Sequence, residues 1–277
     1  MAAPGLPITI LTWQGTGVDM WTGFPAQVAR AAQNAYPKVF YWQPVGNWPA
    51  SAYPMGPSVD AGVAEGQRLI QQVHTSGGLI PIGYSQGAIC ASHWWRDVVL
   101  NGPCRNRIND VIAAVTWGNP CRAPGVANGN AFAGWPAPAD VDGVVTGGIA
   151  GPDDLTPAQT PAFWYDFVNT IVGPNNNDIY TDAPTGTNPW TAEAGPGLIE
   201  TQIYNIVQQA TAPDIFAIIS DALKVVDPAT SVTEVLSIAE AIINGGLFAA
   251  QGGNAAHYTY DIAPAIAYLQ QIGASLS

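Results

Sequence analysis

Five short runs rich in β-branched and aromatic residues fall at 8–13, 39–42, 79–83, 111–117 and 163–168. Helical patterns separate them, at 25–35, 58–73 and 88–100. Strands alternating with helices dictate an α/β architecture, a mostly parallel sheet with helices on both faces. The chain has 277 residues, 48% of them hydrophobic, enough to fill one large core over residues 1–277. That hydrophobicity excludes intrinsic disorder, and no apolar run reaches the ~18 residues of a membrane span.

Charge is scarce, at 10% of residues, and unevenly placed. Before residue 123 there are seven Lys or Arg against five acids; after it one lysine, Lys224, faces fifteen acids. No basic stripe exists to displace phosphate counterions, so nucleic acid is excluded as a partner. The three cysteines, Cys90, Cys104 and Cys121, form no C-x-x-C pair, which argues against a zinc site or a disulfide scaffold. A single Cys104–Cys121 bridge stays open. The first residues read as a strand rather than a signal peptide, so export through the Sec pathway is not expected.

Residues 119–161, rich in Gly, Pro and Ala, are expected to form a long irregular connection over the sheet edge. Between Gly197 and Gly246 the texture becomes helical without strands. Ile199, Ile203, Ile206 and Val207 share one face, and Ser231 with Glu234 makes a capping box. This helical insert, at about 190–250, is expected either to cover the sheet or to shelter a greasy substrate.

Gly83-Tyr84-Ser85-Gln86-Gly87 matches the G-x-S-x-G nucleophile elbow, and it lies between a predicted strand and a predicted helix as that turn requires. A serine nucleophile needs a base, and only three histidines exist. His74 precedes the elbow strand, and His93 lies ~12 Å along the following helix, too far to reach back. His257, after a Gln-Gly-Gly-Asn loop and before the last helix, is the base by elimination. The acid belongs between them. Asp178, in a loop after the fifth strand run, is the expected partner. Asp166 lies inside that strand and reads as a buried or edge hydrogen-bonding group, while Asp182 and Asp154 read as surface carboxylates. The oxyanion donors are expected to be the backbone N–H groups of Gln86 and of Thr16, in the loop Gln14-Gly15-Thr16-Gly17. Such chemistry needs no cofactor and no metal.

Trp13–Gly17, Tyr41–Ala50, Pro54-Met55, Gly83–Ala88 and Trp117–Pro120, with Asp178–Tyr180 and His257-Tyr258, resemble the lysin B family of mycobacteriophages. The block around Pro44-Val45-Gly46-Asn47 is the most specific, since generic lipases lack it. The resemblance implies a cutinase-like α/β-hydrolase, a serine esterase cutting mycolic acids from arabinogalactan in the mycobacterial envelope. It places Ser85, Asp178 and His257 on the family's triad. It also implies a monomer made in the infected host cytoplasm and acting on the envelope after release. Trp48, in the specific block, and Phe216, in the insert, are the expected substrate contacts. One departure is Gln14, where the family often has His. The alternatives are a cutinase-like lipase acting on other lipid esters and a non-catalytic binder retaining the fold.

Overall fold

The computed structural model describes residues 7–52, 55–139, 142–171, 177–185, 190, 201, 204–205, 208 and 255–277. Its main sheet has five parallel strands: β1 (Ile8–Trp13), β2 (Phe40–Pro44), β3 (Leu79–Tyr84), β4 (Ala114–Trp117) and β6 (Trp164–Phe167). The spatial order is β2-β1-β3-β4-β6. These are the five runs read from the sequence. Apart from the edge strand β2, where Tyr41 is exposed, their side chains are largely buried on both faces, which is why they read as apolar stretches rather than as an alternation.

Two hydrophobic clusters form, one on each face of the sheet. On one face α1 (Gly23–Ala35) and the C-terminal helix α6 (Ala263–Ser275) cover Ile8, Ile10, Ile80, Ile82 and Val115. On the other face α2 (Met55–Arg68) and α3 (Gln86–His93) cover Leu11, Trp13 and Leu79, with Trp94 and Trp164 beside them. α2 runs on through a widened turn to Val73, and α3 to Leu100, so both helical spans match their patterns.

The stretch after β4 is more ordered than expected. It holds the short helix α4 (Asn128–Ala133) and β5 (Thr146–Gly147), which pairs antiparallel with β7 (Ala183–Pro184). Rather than merely crossing the sheet edge, it buries Cys121 and Arg122. All three cysteines are free and buried, so the Cys104–Cys121 bridge is absent. The proposed helical insert lies largely outside the described residues. Of it, Thr201, Tyr204, Asn205 and Gln208 are helical. No helix among the described residues is long and apolar enough to cross a membrane.

Strand order reverses at β1: the chain steps outward to β2, then crosses back to β3. Ligands of such sheets bind beyond the strands' carboxyl ends at this switch point. The loop after β1 and the turn after β3 meet there.

Candidate active site

β3 ends at Tyr84, and Ser85 turns the chain into α3 with φ 55° and ψ −123°. A left-handed serine is strained, and it persists because the flanks leave no alternative. A Cβ on Gly83 would stand 2.4 Å from the Gly87 carbonyl oxygen, and one on Gly87 would stand 2.3 Å from the Trp13 carbonyl oxygen. Both contacts are to backbone. The pentapeptide is therefore a packing requirement as well as a motif.

Gln86 opens α3, where backbone N–H groups lack intrahelical acceptors and the helix dipole favours negative charge. Opposite it, the Gly15–Gly17 loop is held by the Gly17 N–H donating to the Ala50 carbonyl at 2.9 Å. A Cβ on Gly15 would lie 3.0 Å from the Tyr84 ring and 3.5 Å from Ser85 Cβ, which places this loop against the serine.

The carboxylate comes from the far side. Asp178 is fully buried, and its backbone N–H donates to Asn169, two residues beyond the end of β6. Its Oδ2 lies 2.8 Å from His257 Nδ1 and accepts from the Tyr260 hydroxyl at 2.5 Å; its Oδ1 accepts from the Tyr180 N–H at 3.2 Å. With Nδ1 engaged on the carboxylate, Nε2 is the ring nitrogen left for a serine proton. His257 sits on the short helix α5 (Ala255–Tyr258). The Tyr84 hydroxyl donates to its carbonyl at 2.8 Å, and Asn169 Nδ2 donates to the preceding carbonyl, Ala256, at 2.7 Å. Tyr84 and Tyr180 hold the imidazole, with ring centroids at 5.1 and 4.6 Å. Burial pushes the Tyr84 and Tyr260 hydroxyls well above their ordinary range, and the nearby Asp178 charge adds to this, so both stay protonated donors.

Ser85, Gln86, Thr16 and His257 line one cavity of about 220 Å³, whose other walls include Met55, Ile89, Ile149 and Tyr204. The structure thus brings the sequence-selected residues to one place. Trp48 is not among them: its indole N–H donates to the Val45 carbonyl, and its ring packs over Gly62 against the core. Phe216 lies outside the described residues.

Two residues escaped the sequence reading. Gly118, directly after β4, has φ +51°, and a Cβ there would stand 2.5 Å from His257 Cε1 and 3.1 Å from Asp178 Oδ2. The His–Asp pair occupies the space a side chain would take. Tyr260 had no signal beyond its place three residues after the histidine.

The other carboxylates divide differently from expectation. Asp166 is buried and accepts from Thr116 and from Asn119, as a strand hydrogen-bonding group should. Asp154 and Asp182 are not on the surface; each is 2% exposed. The fully buried Arg122 neutralises this interior. It donates to the Thr181 carbonyl at 2.6 Å and to Thr146 Oγ1 at 3.0 Å, and lies 4.0 Å from Asp182. Burial lowers its guanidinium and raises the carboxyls of Asp154, Asp166 and Asp182.

A second polar cluster lies outside the cavity. His93 Nε2, Cys121 Sγ and an Asp153 oxygen fall within 4.8 Å of one another, a donor set that could hold a metal ion. Each Asp153 oxygen already has a cationic or hydrogen-bonding neighbour: Arg96 at 2.8 Å on one, His93 at 2.8 Å and the Tyr204 hydroxyl at 3.0 Å on the other. Burial favours the neutral thiol of Cys121, pushing it well above the ordinary range, which opposes metal binding there.

No family model matches the chain. The chain is similar to Endolysin B of Mycobacterium phage L5, 34% identical over 146 residues, covering 49% of this chain and 55% of that protein. Endolysin B of Mycobacterium phage D29 is 36% identical over 129 residues, covering 43% of this chain and 48% of that one. These alignments span about half the length of the curated relatives. The crystal structure of lysin B from Mycobacteriophage D29 superposes with a TM-score of 0.65 at 26% identity, covering 96% of this chain and 99% of that one. The chain is thus similar to lysin B of mycobacteriophages in sequence over a little under half its length and in fold over nearly all of it.

Proposed function

We propose that the protein is a phage lysin esterase that hydrolyses the ester between mycolic acids and arabinogalactan through an acyl-enzyme on Ser85. The observation that carries this reading is the buried Asp178–His257 pair, which opens into the cavity that also holds the strained Ser85. In the reaction Ser85 Oγ attacks the ester carbonyl and His257 Nε2 takes its proton. Asp178 stabilises the imidazolium that forms. The N–H groups of Gln86 and Thr16 receive the negative charge on the carbonyl oxygen. Collapse expels the sugar alcohol, which leaves with the proton from His257. Water, deprotonated by the same imidazole, then cleaves the acyl-enzyme.

Ser85→Ala and His257→Ala should each lower ester turnover by several orders of magnitude while the protein stays folded. Lipids released from purified mycolyl-arabinogalactan, resolved by thin-layer chromatography, test the substrate. Free mycolic acid from the wild type and none from Ser85→Ala is the expected pattern. Near-normal release by a folded Ser85→Ala protein would overturn the mechanism, and release from simple lipid esters alone would favour a cutinase-like lipase.

A further inference from the structure

Two buried amide atoms lie in side chains that line the catalytic cavity and have no partner among the described residues. Gln86 is 1% exposed; its Nε2 donates to the Ser51 carbonyl at 2.8 Å, while its Oε1 accepts from none of the described residues. The Ser51 carbonyl fixes this orientation, since a flipped amide would set two oxygens against each other. Gln208 also lines the cavity, and its Nε2 is buried and donates to none of the described residues. Both side chains belong to residues set against one short stretch of chain. Gln86 reaches Ser51, and a Cβ on Gly56 would stand 2.4 Å from the Gln208 carbonyl oxygen.

The chain is anchored four residues before Gln208, at Tyr204. There the Tyr204 hydroxyl donates to Asp153, which Arg96 and His93 hold in place. Gln208 Nε2 thus lies buried close to an anchored residue, with no partner among the described residues. A buried polar atom left in that state is costly, and sites that carry one are built for a ligand that supplies the missing bond.

We propose that Gln86 Oε1 and Gln208 Nε2 form a subsite for a hydroxyl group of the ester substrate. The orphan atoms are one acceptor and one donor, and a hydroxyl is the small group that answers both. A carboxylate would face the Gln86 oxygen with no proton to give. An ammonium would face the Gln208 N–H with no lone pair. Met55, Ile89 and Ile149 make the surrounding wall apolar, so the hydroxyl is read on an otherwise greasy substrate. This inference rests on the serine-esterase reading above. The hydroxyl can belong to the acyl chain or to the alcohol.

Two pairs of esters separate these sources. The first compares a straight-chain fatty acyl ester with its 3-hydroxyacyl counterpart on one alcohol. The second compares one fatty acid esterified to a simple alkanol and to a polyol. The wild type should favour the hydroxylated member of one pair by roughly tenfold or more in kcat/KM. Gln208→Met should bring that ratio close to one, and Gln208→Glu, of the same size but without the donor, should do the same. Labelling of Ser85 by a fluorophosphonate should persist in both variants, which shows that they are folded and that the nucleophile is active. A wild type without preference in either pair, or a preference that survives both substitutions, overturns the subsite while leaving the labelled esterase intact. Absence of labelling in the wild type overturns the esterase reading, and the subsite with it.

Discussion

Gly118 contributes to the site by lacking a side chain. Its φ of +51° and the 2.5 Å gap between a notional Cβ and His257 Cε1 leave no room for a methyl group. Gly118→Ala should therefore displace the imidazole, lowering turnover by about a hundredfold, since a misplacement of ~1 Å suffices for that. The backbone strain should cost roughly 1–3 kcal/mol as well. Turnover and thermal unfolding measured side by side check both effects. Tyr260→Phe removes a donor from the Asp178 oxygen that also faces His257. The carboxylate that orients the imidazole is then held by fewer bonds, so kcat should fall with KM little changed. An unchanged kcat would make Tyr260 a packing residue. That Ser85, His257 and Asp178 would come together was legible because motif, scarcity and chain order each narrowed the choice. Gly118 and Tyr260 were not, because what constrains them is a contact with residues far away in the chain.

At the scale of elements, the strands and helices of the first half were legible because each is short, apolar and bounded by turn residues. The segment after β4 misled. Its Gly, Pro and Ala suggested surface, yet it carries Arg122 into the interior, where it meets Asp182 from a loop sixty residues later. A lone carboxylate with no cation near it in sequence reads as solvent-exposed, and its countercharge becomes visible only when the chain folds. Arg122 also clamps the Thr181 carbonyl, in the turn that Asp178 begins. Arg122→Met should destabilise the protein by roughly 3 kcal/mol or more, because it leaves buried carboxylates uncompensated. Denaturant unfolding at neutral pH measures this. Acidification should restore part of the loss as those carboxyls take up protons.

For the molecule as a whole, the buried acids set opposing responses to pH. Burial would raise the Asp153 carboxyl, but the His93 hydrogen bond and the His93 and Arg96 charges bring it down to about 2. Its unfolded value is ~3.9, so its stabilising contribution is complete above that and is lost as pH falls toward about 2. Asp154, Asp166 and Asp182 are raised by burial, so what they contribute is present at low pH and lost as pH rises through their raised values. Asp153→Asn should accordingly flatten the acid side of the stability curve between about pH 4 and about pH 2, read by thermal melting across that range. A curve as steep as the wild type's would assign acid unfolding to other carboxylates.

Asp178 and His257 are 79 positions apart, yet they share a hydrogen bond, and Asn169 is bonded to the backbone at both Asp178 and Ala256. The chain between Asp178 and His257 therefore departs from and returns to nearly the same point. Its two ends are tied beside the sheet, through Asn169 just after β6 and Tyr84 of β3. An excursion with closed ends can change in length while its ends keep their places. In the proposed esterase, substrate preference could then shift along this stretch while the Asp178–His257 bond stays intact, provided Tyr180 is kept.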